Sequence, residues 1–154
     1  NYRMSNIDAC IGRGQLMHLD EHVRLKKAIY KRYQEAFADI DAIAMNPLNP
    51  RGDANNWLSC MTISEDSEVT PDMVMDALEA ENIESRPIWK PMHLQPVFAG
   101  YDFISHNESG SGDDACISVS EDIFNRGVCL PSDIKNTDAD MEKVIGIVRG
   151  LFNR

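Results

Sequence analysis

The stretch Trp57-Leu58-Ser59-Cys60-Met61-Thr62-Ile63, with the helix start Thr70-Pro71-Asp72 shortly after it, decides the fold class. The first run is rich in aromatic and β-branched residues, which favours a β-strand. In the second, Thr70 can cap a helix, Pro71 occupies the first helical position and Asp72 places an acid in the first turn. The sequence therefore predicts a strand followed by a helix that ends near Asn82.

Toward the C-terminus the mixture of strands and helices continues. Residues 83–90 predict a second strand, and Pro87 places it at an edge or a bulge, because proline cannot donate to a neighbouring strand. Residues 107–114 have the composition of a flexible loop. A short helix that Gly127 can end precedes a short strand at 128–130. A last helix, capped by Thr137, carries an apolar stripe of Met141, Val144, Ile145, Val148, Leu151 and Phe152.

Toward the N-terminus the sequence predicts two helices. Ser5 can cap the first, and apolar residues recur there at helical spacing, which predicts one packed face. Gly12 and Gly14 inside it suggest that another backbone passes closely. The second helix begins at Leu19 and carries the apolar residues Val23, Leu25, Ile29, Tyr33, Ala36 and Phe37. Taken together, the elements predict an α+β fold in which a small sheet is covered by helices.

Size and composition indicate one soluble globular domain. The chain has 154 residues, of which 43% are hydrophobic and 26% charged. The net charge of −10 disfavours a nucleic-acid partner. The basic cluster Lys26, Lys27, Lys31 and Arg32 is most simply a solvated helix face. No apolar run is long enough for a membrane helix, and no signal peptide opens the sequence, so we expect a cytoplasmic protein without a membrane partner.

The cysteines and histidines do not predict a metal site. Cys10, Cys60, Cys116 and Cys129 are scattered without a CxxC pair and lie in or beside apolar segments, so we expect buried thiols in a reducing compartment. His18 and His22 are four residues apart, but no glutamate accompanies them as in an HExxH helix.

Two segments are candidates for function. The first is 86–96, where three prolines hold a backbone that presents Arg86, Trp89, Lys90 and His93, a combination suited to an anionic ligand that carries a ring. The alternative is an extended loop with a core tryptophan and solvated charges. The second is the N-terminus, where Asn1 and Arg3 precede a helix that can bind phosphate; Ser5 and Asn6 are equally well explained as capping residues.

Three blocks of sequence resemble one family. Asn1-Tyr2-Arg3-Met4-Ser5-Asn6-Ile7 with Ile11-Gly12-Arg13-Gly14-Gln15-Leu16 is similar to the segment after the cofactor-binding core of the DegT/DnrJ/StrS-type aminotransferases of nucleotide-sugar biosynthesis. Residues 86–98 resemble a second block of that family, and Gly127-Val128-Cys129-Leu130-Pro131-Ser132 resembles its closing strand and turn. The blocks occur in the family's order and span nearly the whole chain.

The resemblance implies a fold and a cofactor. It implies that residues 1–154 form the small C-terminal domain of a fold-type I pyridoxal 5'-phosphate (PLP) transferase, with a small, mainly antiparallel sheet. Residues 1–37 would link to a larger PLP-binding domain. In such enzymes PLP forms a Schiff base with a lysine of that larger domain. None of the lysines of this chain lies in the family's lysine motif, so we expect the chain by itself to be inactive and to hold no PLP.

The resemblance also implies a reaction and site residues. It places Asn1 and Arg3 near the cofactor phosphate of a neighbouring subunit in a homodimer with shared active sites. It places Arg86, Trp89, Lys90 and His93 beside the nucleotide-sugar pocket. The reaction implied moves an amino group from glutamate to C4 of a nucleotide-linked 4-keto-6-deoxy sugar in polysaccharide biosynthesis. The sequence of residues 86–96 most resembles that of the family branch that acts on a UDP-linked 4-keto-6-deoxy-N-acetylhexosamine.

Two other interpretations stay open from the sequence. The chain could be a non-catalytic binding or regulatory module that kept the small domain. Its first two helices could also serve as a dimerisation element. For the aminotransferase domain, we expect the first two helices to expose an apolar face, because they would normally pack against the larger domain.

Overall fold

The structure is a computed structural model that describes residues 2–103 and 118–152. The predicted loop at 107–114, Cys116 and Asn1 lie outside the described residues. The helices are α1 Asn6–Leu16, α2 Leu19–Ala36, α3 Pro71–Glu79, α4 Val119–Arg126 and α5 Asp138–Phe152. The strands are β1 Ile43–Met45, β2 Ser59–Ile63, β3 Arg86–Pro87 and β4 Gly127–Leu130, and two 3-10 turns occupy Met92–Leu94 and Pro96–Phe98.

The four strands form one sheet in the order β1-β2-β4-β3, and every neighbouring pair is antiparallel. The predicted α+β class and the small antiparallel sheet are confirmed. Strand β1 was not predicted, because its three residues are too few to show a period. The predicted strand at 83–90 is wrong in extent: only Arg86 and Pro87 pair, with Cys129 and Val128. Its predicted position at an edge is confirmed, since β3 has one neighbour.

The core lies between one face of the sheet and helices α2, α3 and α5. Met61, Ile63 and Val128 are at most 1% exposed and point to this face. The helices cover it with the predicted stripes; α5 buries Met141, Val144, Ile145 and Val148. Burial of each such side chain contributes about 1.5–3 kcal/mol relative to exposure. The side chains on this face of the sheet and on the three helices form one hydrophobic core.

Helix α1 differs from the prediction of a packed face. Ser5 caps it as expected, with the Asp8 N–H donating to Ser5 Oγ at 3.1 Å. However, α1 contains no buried residue, and Ile7, Ile11 and Leu16 are all more than half exposed. The expectation of a close backbone at its glycines is wrong within the described residues, since a Cβ at either would meet nothing within 4 Å. The expected exposed apolar face is confirmed for α1, whereas α2 buries Ile29, Tyr30 and Tyr33.

The basic cluster of α2 is not simply a solvated face. Lys26 Nζ donates to the carbonyl oxygens of Trp57, at 3.0 Å, and Ser132. Arg32 pairs with Asp138, at 2.5 Å, and Glu142, at 2.7 Å, in the first turns of α5. Lysine and arginine of this cluster therefore tie α2 to two loops and to another helix.

One glycine is required by a close approach. A Cβ at Gly127 would lie 2.4 Å from the Ile123 carbonyl oxygen and 2.3 Å from Ile88 Cδ1. Gly127 ends α4, as predicted, and at the same time begins β4. Because Gly127 has no side chain, helix α4, strand β4 and the segment 86–91 can meet at one point.

No helix of the described part is long and apolar enough to cross a membrane.

Candidate functional site

A cavity of about 780 Å³ opens beside the edge of the sheet at β3 and β4. Its walls include both tryptophans of the chain, Trp57 and Trp89, and its floor includes Cys129. Arg86 and Lys90 also line it. The structure therefore brings together three of the four residues predicted in segment 86–96. The volume is within the range of about 300–1,000 Å³ typical of small-molecule sites.

The two tryptophans form an exposed aromatic pair. Their ring centroids are 6.0 Å apart and the planes are inclined by 34°. Trp57 is 62% and Trp89 61% exposed, so neither ring belongs to the core. The alternative interpretation of Trp89 as a core residue is wrong. At this separation the rings already contact each other, so a planar ligand would stack on an outer face of the pair and not between them.

Trp57 is held by contacts that the sequence did not reveal. Asn56, directly before it, is buried and has a left-handed backbone with φ 52°, and the Trp57 N–H donates to Asn55 Oδ1 at 3.1 Å. Lys26 of α2 holds the Trp57 carbonyl oxygen. Asparagine tolerates this conformation better than most residues, and the Asn55-Asn56 pair before an aromatic was the available signal for a turn. No pattern in α2 singled out Lys26.

Ser132 anchors the opposite wall. Its Oγ accepts from the Ser59 N–H at 2.9 Å and donates to the Leu130 carbonyl oxygen at 2.8 Å. Its own carbonyl oxygen accepts from Lys26. The Tyr33 hydroxyl donates to the Pro131 carbonyl oxygen at 2.8 Å, and burial raises the pKa of that phenol. The closing Gly127–Ser132 block is thus a rigid support for the cavity.

The cavity has a weak positive balance. Arg86 pairs with Glu84, and its Nε donates to Glu84 Oε1 at 2.8 Å. Both side chains are largely exposed and both line the cavity. Lys90 lines the same cavity without a carboxylate partner among the described residues. One carboxylate against two cations leaves an excess positive charge that suits an anionic ligand.

His93 lies outside this lining. It follows the buried Pro91, in the turn Met92–Leu94, and its Nε2 is 2.6 Å from Glu121 Oε1 of α4. Its ring stacks on Phe103 at a centroid distance of 3.8 Å. In the described residues His93 therefore joins the segment after the cavity to α4. Its predicted place beside a substrate stays a prediction.

The predicted phosphate-binding residues are separate from the cavity. Arg3 is exposed and precedes α1. Asn1 lies outside the described residues. The N-terminus of α1 already holds a carboxylate, since Ser5 Oγ donates to Asp8 Oδ2 at 2.7 Å. Within the described residues no contact links Arg3 to the cavity.

Two smaller cavities suit anions less well. One of about 480 Å³ is lined by Asp76, Glu79 and Glu84. The other, of about 470 Å³, is lined by Glu81, Asp133 and Asp140, and its one lysine, Lys143, pairs with Glu81 at 2.9 Å. Their carboxylates would repel a phosphate. The expectation of buried thiols is correct for Cys129, whereas Cys60 is half-buried and Cys10 is exposed on α1. Cys10 was misplaced because the apolar face of α1 is uncovered.

The family sequence pattern of the DegT/DnrJ/EryC1/StrS aminotransferases matches residues 1–149. The chain belongs to the DegT/DnrJ/EryC1/StrS aminotransferase family. The resemblance carried by the three sequence blocks is thereby confirmed. Aminotransferases of this family use PLP as their cofactor.

Individual members of the DegT/DnrJ/EryC1/StrS family show how far the likeness extends. The chain is 40% identical over 153 residues to a Bacillus subtilis (strain 168) protein named as a pyridoxal phosphate-dependent aminotransferase, EpsN. It is 32% identical over 146 residues to GDP-perosamine synthase of Caulobacter vibrioides. A crystal structure of a DegT DnrJ EryC1 StrS aminotransferase from Brucella abortus shares its fold, with a TM-score of 0.76 and 25% identity.

These likenesses cover nearly all of this chain and a minor part of the relatives. They include 99%, 94% and 99% of this chain for the Bacillus, Caulobacter and Brucella proteins respectively. They include 37%, 36% and 37% of those proteins. The chain therefore spans little more than a third of the length of these relatives.

Proposed function

We propose that this chain is part of a PLP-dependent aminotransferase that moves an amino group from glutamate to C4 of a nucleotide-linked 4-keto-6-deoxy sugar. The observation that carries the proposal is the 40% identity, along 99% of the chain, to a protein named as a PLP-dependent aminotransferase. The family match over residues 1–149 supports it. Another relative is named for producing GDP-perosamine, a nucleotide-linked sugar.

We further propose that the chain acts as the small domain of the enzyme. Its sheet and helices α2, α3 and α5 form a complete core, whereas α1 exposes the apolar residues Ile7, Ile11 and Leu16. An exposed apolar helix face of this kind is typical of a surface that packs on another domain. Residues 1–37 would then join this core to a larger PLP-binding domain, in a homodimer with shared active sites that works in the cytoplasm.

The described residues fit the cofactor only in part. Arg3, exposed before α1, can supply a guanidinium to a phosphate group, and Asn1 would lie beside it. The described residues provide no pocket in which a lysine, an aspartate and an aromatic ring surround a pyridine. PLP when bound supplies the electron sink that amino transfer requires. In this proposal the lysine and the ring pocket come from the larger domain, and Arg3 and Asn1 complete the phosphate site.

The tryptophan cavity is proposed to receive the nucleotide end of the substrate. An outer face of the Trp57–Trp89 pair offers a stacking surface for a base, and base stacking on an aromatic side chain is worth about 1–3 kcal/mol. Lys90 and Arg86 can face a diphosphate from the same cavity. Glu84 keeps Arg86 oriented. In this proposal His93 is held by Glu121 and positions the backbone that leads out of the cavity.

The activity is tested on the full-length protein loaded with PLP. We expect glutamate and a UDP-linked 4-keto-6-deoxy-N-acetylhexosamine to give a UDP-linked 4-amino sugar and 2-oxoglutarate, measured by mass spectrometry. A GDP-linked 4-keto-6-deoxyhexose tests the other nucleotide. Amino transfer to the GDP sugar alone would overturn the UDP branch. Absence of transfer to either sugar would overturn the proposed reaction.

The cavity is tested separately by variants. Trp89→Ala and Lys90→Ala should each raise the KM for the nucleotide sugar about tenfold, because each removes one contact to the nucleotide. Lys135→Ala is the matched control, since Lys135 is exposed and does not line the cavity. Unchanged KM values in both cavity variants would place the nucleotide elsewhere while leaving the reaction itself intact.

The binding-module alternative is tested on the chain by itself. We expect no visible absorbance band that survives dialysis after PLP is added, because residues 2–103 and 118–152 form no pocket that would depress a lysine pKa and position it. A dedicated binding module would instead retain PLP or a UDP-sugar with a measurable Kd. Such retention by the isolated chain would favour the module over the aminotransferase domain.

A further inference from the structure

Two thiols meet across the sheet in a way that the proposed reaction does not use. Cys60 of β2 lies directly opposite Cys129 of β4. Their Sγ atoms are 3.6 Å apart. Both residues point away from the face that carries Met61 and Val128, because side chains alternate along a strand. The pair therefore lies on the cavity side of the sheet, with Cys129 in the cavity floor.

The backbone geometry at this pair suits a disulfide. The Cys60 carbonyl oxygen accepts from the Asn46 N–H at 2.9 Å, and the Cys60 N–H donates to Asn46 Oδ1 at 3.0 Å. Both main-chain groups of Cys60 thus point toward the β1 side and away from β4. Cys60 and Cys129 are therefore a non-hydrogen-bonded antiparallel pair, for which the Cα atoms lie about 4.5 Å apart. This separation is within the range of about 4.4–6.8 Å that disulfides span.

The chemistry of the two sulfurs is also asymmetric. The Cys60 thiol can donate to the Cys129 sulfur, and this hydrogen bond lowers the pKa of Cys129 although burial opposes it. The same hydrogen bond and burial raise the pKa of Cys60. Cys129 is thus the better candidate for the thiolate, and it lines a cavity that is open to solvent. Cys129 is only 8% exposed, so the route for a small oxidant is the cavity that this residue lines.

We propose that Cys60 and Cys129 are a reversible redox pair that closes to a disulfide in the floor of the tryptophan cavity. With a peroxide as oxidant, the Cys129 sulfur attacks one peroxide oxygen, the O–O bond breaks, and one water leaves. The Cys60 sulfur then attacks the Cys129 sulfenic acid, the S–O bond breaks, an S–S bond forms and a second water leaves. Two thiols are oxidised and one peroxide is reduced, and a dithiol reductant reverses the step.

Closure would change the cavity. A disulfide brings the sulfurs from 3.6 Å to about 2.05 Å, which draws Cys129 Sγ away from the cavity floor. Cys129 is the partner of Arg86 in the β3–β4 pairing, and its thiol lies 3.9 Å from the Pro87 carbonyl oxygen. The shift therefore occurs directly beneath the segment that carries Trp89. Trp57 and Trp89 are the two tryptophans of the chain, so its tryptophan emission reports on this cavity.

The test treats the folded chain with a stoichiometric amount of hydrogen peroxide and compares it with a sample kept in dithiothreitol. We expect the mass to fall by two hydrogen atoms and the count of titratable thiols to fall from four to two. A digest without reductant should contain the linked peptides of Cys60 and Cys129. Tryptophan emission should change on oxidation and return when dithiothreitol is added.

Variants separate this pair from the other thiols. Cys10→Ser and Cys116→Ser should leave the cross-link intact, whereas Cys60→Ser and Cys129→Ser should each abolish it. Because the peptide map uses the unaltered chain, the result does not depend on how well a variant folds. Four free thiols after treatment, a stable sulfinic acid on Cys129 without a cross-link, or a link through Cys10 or Cys116 would each overturn the proposal.

Discussion

Helices α1 and α5 share two sequence features, a hydroxyl cap and an apolar face, but they have different surroundings. Each begins at a hydroxyl cap: the Asp8 N–H donates to Ser5 Oγ at 3.1 Å, and the Asp140 N–H donates to Thr137 Oγ1 at 3.2 Å. Each also carries an apolar face. Yet α5 buries four residues and α1 buries none. Local signals therefore define where a helix begins, whereas its burial depends on what the rest of the chain places against it.

The different packing of α1 and α5 should also make their stabilities differ. Isolated helices shorter than about 12–15 residues are marginal in water, and most helix stability in proteins comes from packing. Helix α1 has 11 residues, includes Gly12 and Gly14, and lacks packing within the described residues. Helix α5 packs along α3 and the sheet. We therefore expect α1 to be the least stable helix of the isolated chain, and to gain stability from a surface that covers it.

The largest effect should come from removing one isoleucine side chain in each helix. Ile145 of α5 is 8% exposed and belongs to the core, whereas Ile11 of α1 is 60% exposed. Ile145→Ala should lower the free energy of unfolding by about 2–5 kcal/mol, because it leaves a cavity. Ile11→Ala should change it by less than about 0.5 kcal/mol. Urea unfolding of the chain, followed by circular dichroism, measures both.

The same pair of variants tests the docking role of α1. In the full-length protein, Ile11→Ala should become destabilising if another domain covers α1. Equal small effects of Ile11→Ala in the chain and in the full-length protein would show that this face stays uncovered there. Equal large effects of the two variants in the isolated chain would contradict the structure of α1.

A smaller effect should follow from removing the caps. Thr137 and Asp140 form a reciprocal cap, in which the Thr137 N–H donates to Asp140 Oδ2 at 2.8 Å. Thr137→Ala should therefore cost about 1 kcal/mol of global stability. Ser5→Ala removes a cap of similar geometry, but α1 does not contribute to the core. It should increase amide hydrogen exchange in α1 and leave the urea midpoint unchanged; a matching shift of both midpoints would refute this distinction.

The sequence predicted the elements whose signals are local. The caps at Ser5, Thr70 and Thr137 were correct, because each depends on a hydroxyl followed by a first helical turn. Strand β1 was missed and β3 was predicted too long, because their extent depends on pairing with strands distant in the sequence. The exposure of Cys10 could not be predicted, since helical spacing identifies a face without its partner.

The candidate site was predictable to a similar degree. Segment 86–96 drew attention through its prolines and mixed cations, and Arg86, Trp89 and Lys90 do share a cavity. The second tryptophan, Trp57, joins them through a loop that Lys26 holds from 31 residues away. The opposition of Cys60 and Cys129 depends on the register of two strands that are 69 residues apart. Contacts of this kind become visible only when the chain is folded.

The smallest expected effect concerns how acid acts on α5. Arg149, in the last turn of α5, donates two hydrogen bonds of 2.6 and 2.7 Å to the Asp39 carboxylate. These bonds hold the pKa of Asp39 at about 2, below its ordinary value of about 3.9. A carboxyl whose pKa is lowered by folding stabilises the protein above about pH 4, and that contribution is lost as the pH falls toward 2.

Asp39→Asn should therefore be less stable than the parent at pH 6. The difference should shrink between pH 4 and pH 2, and also at high salt, because Asp39 is exposed. A constant difference between Asp39→Asn and the parent from pH 6 to pH 2 would show that the ion pair does not couple α5 to the protonation of Asp39.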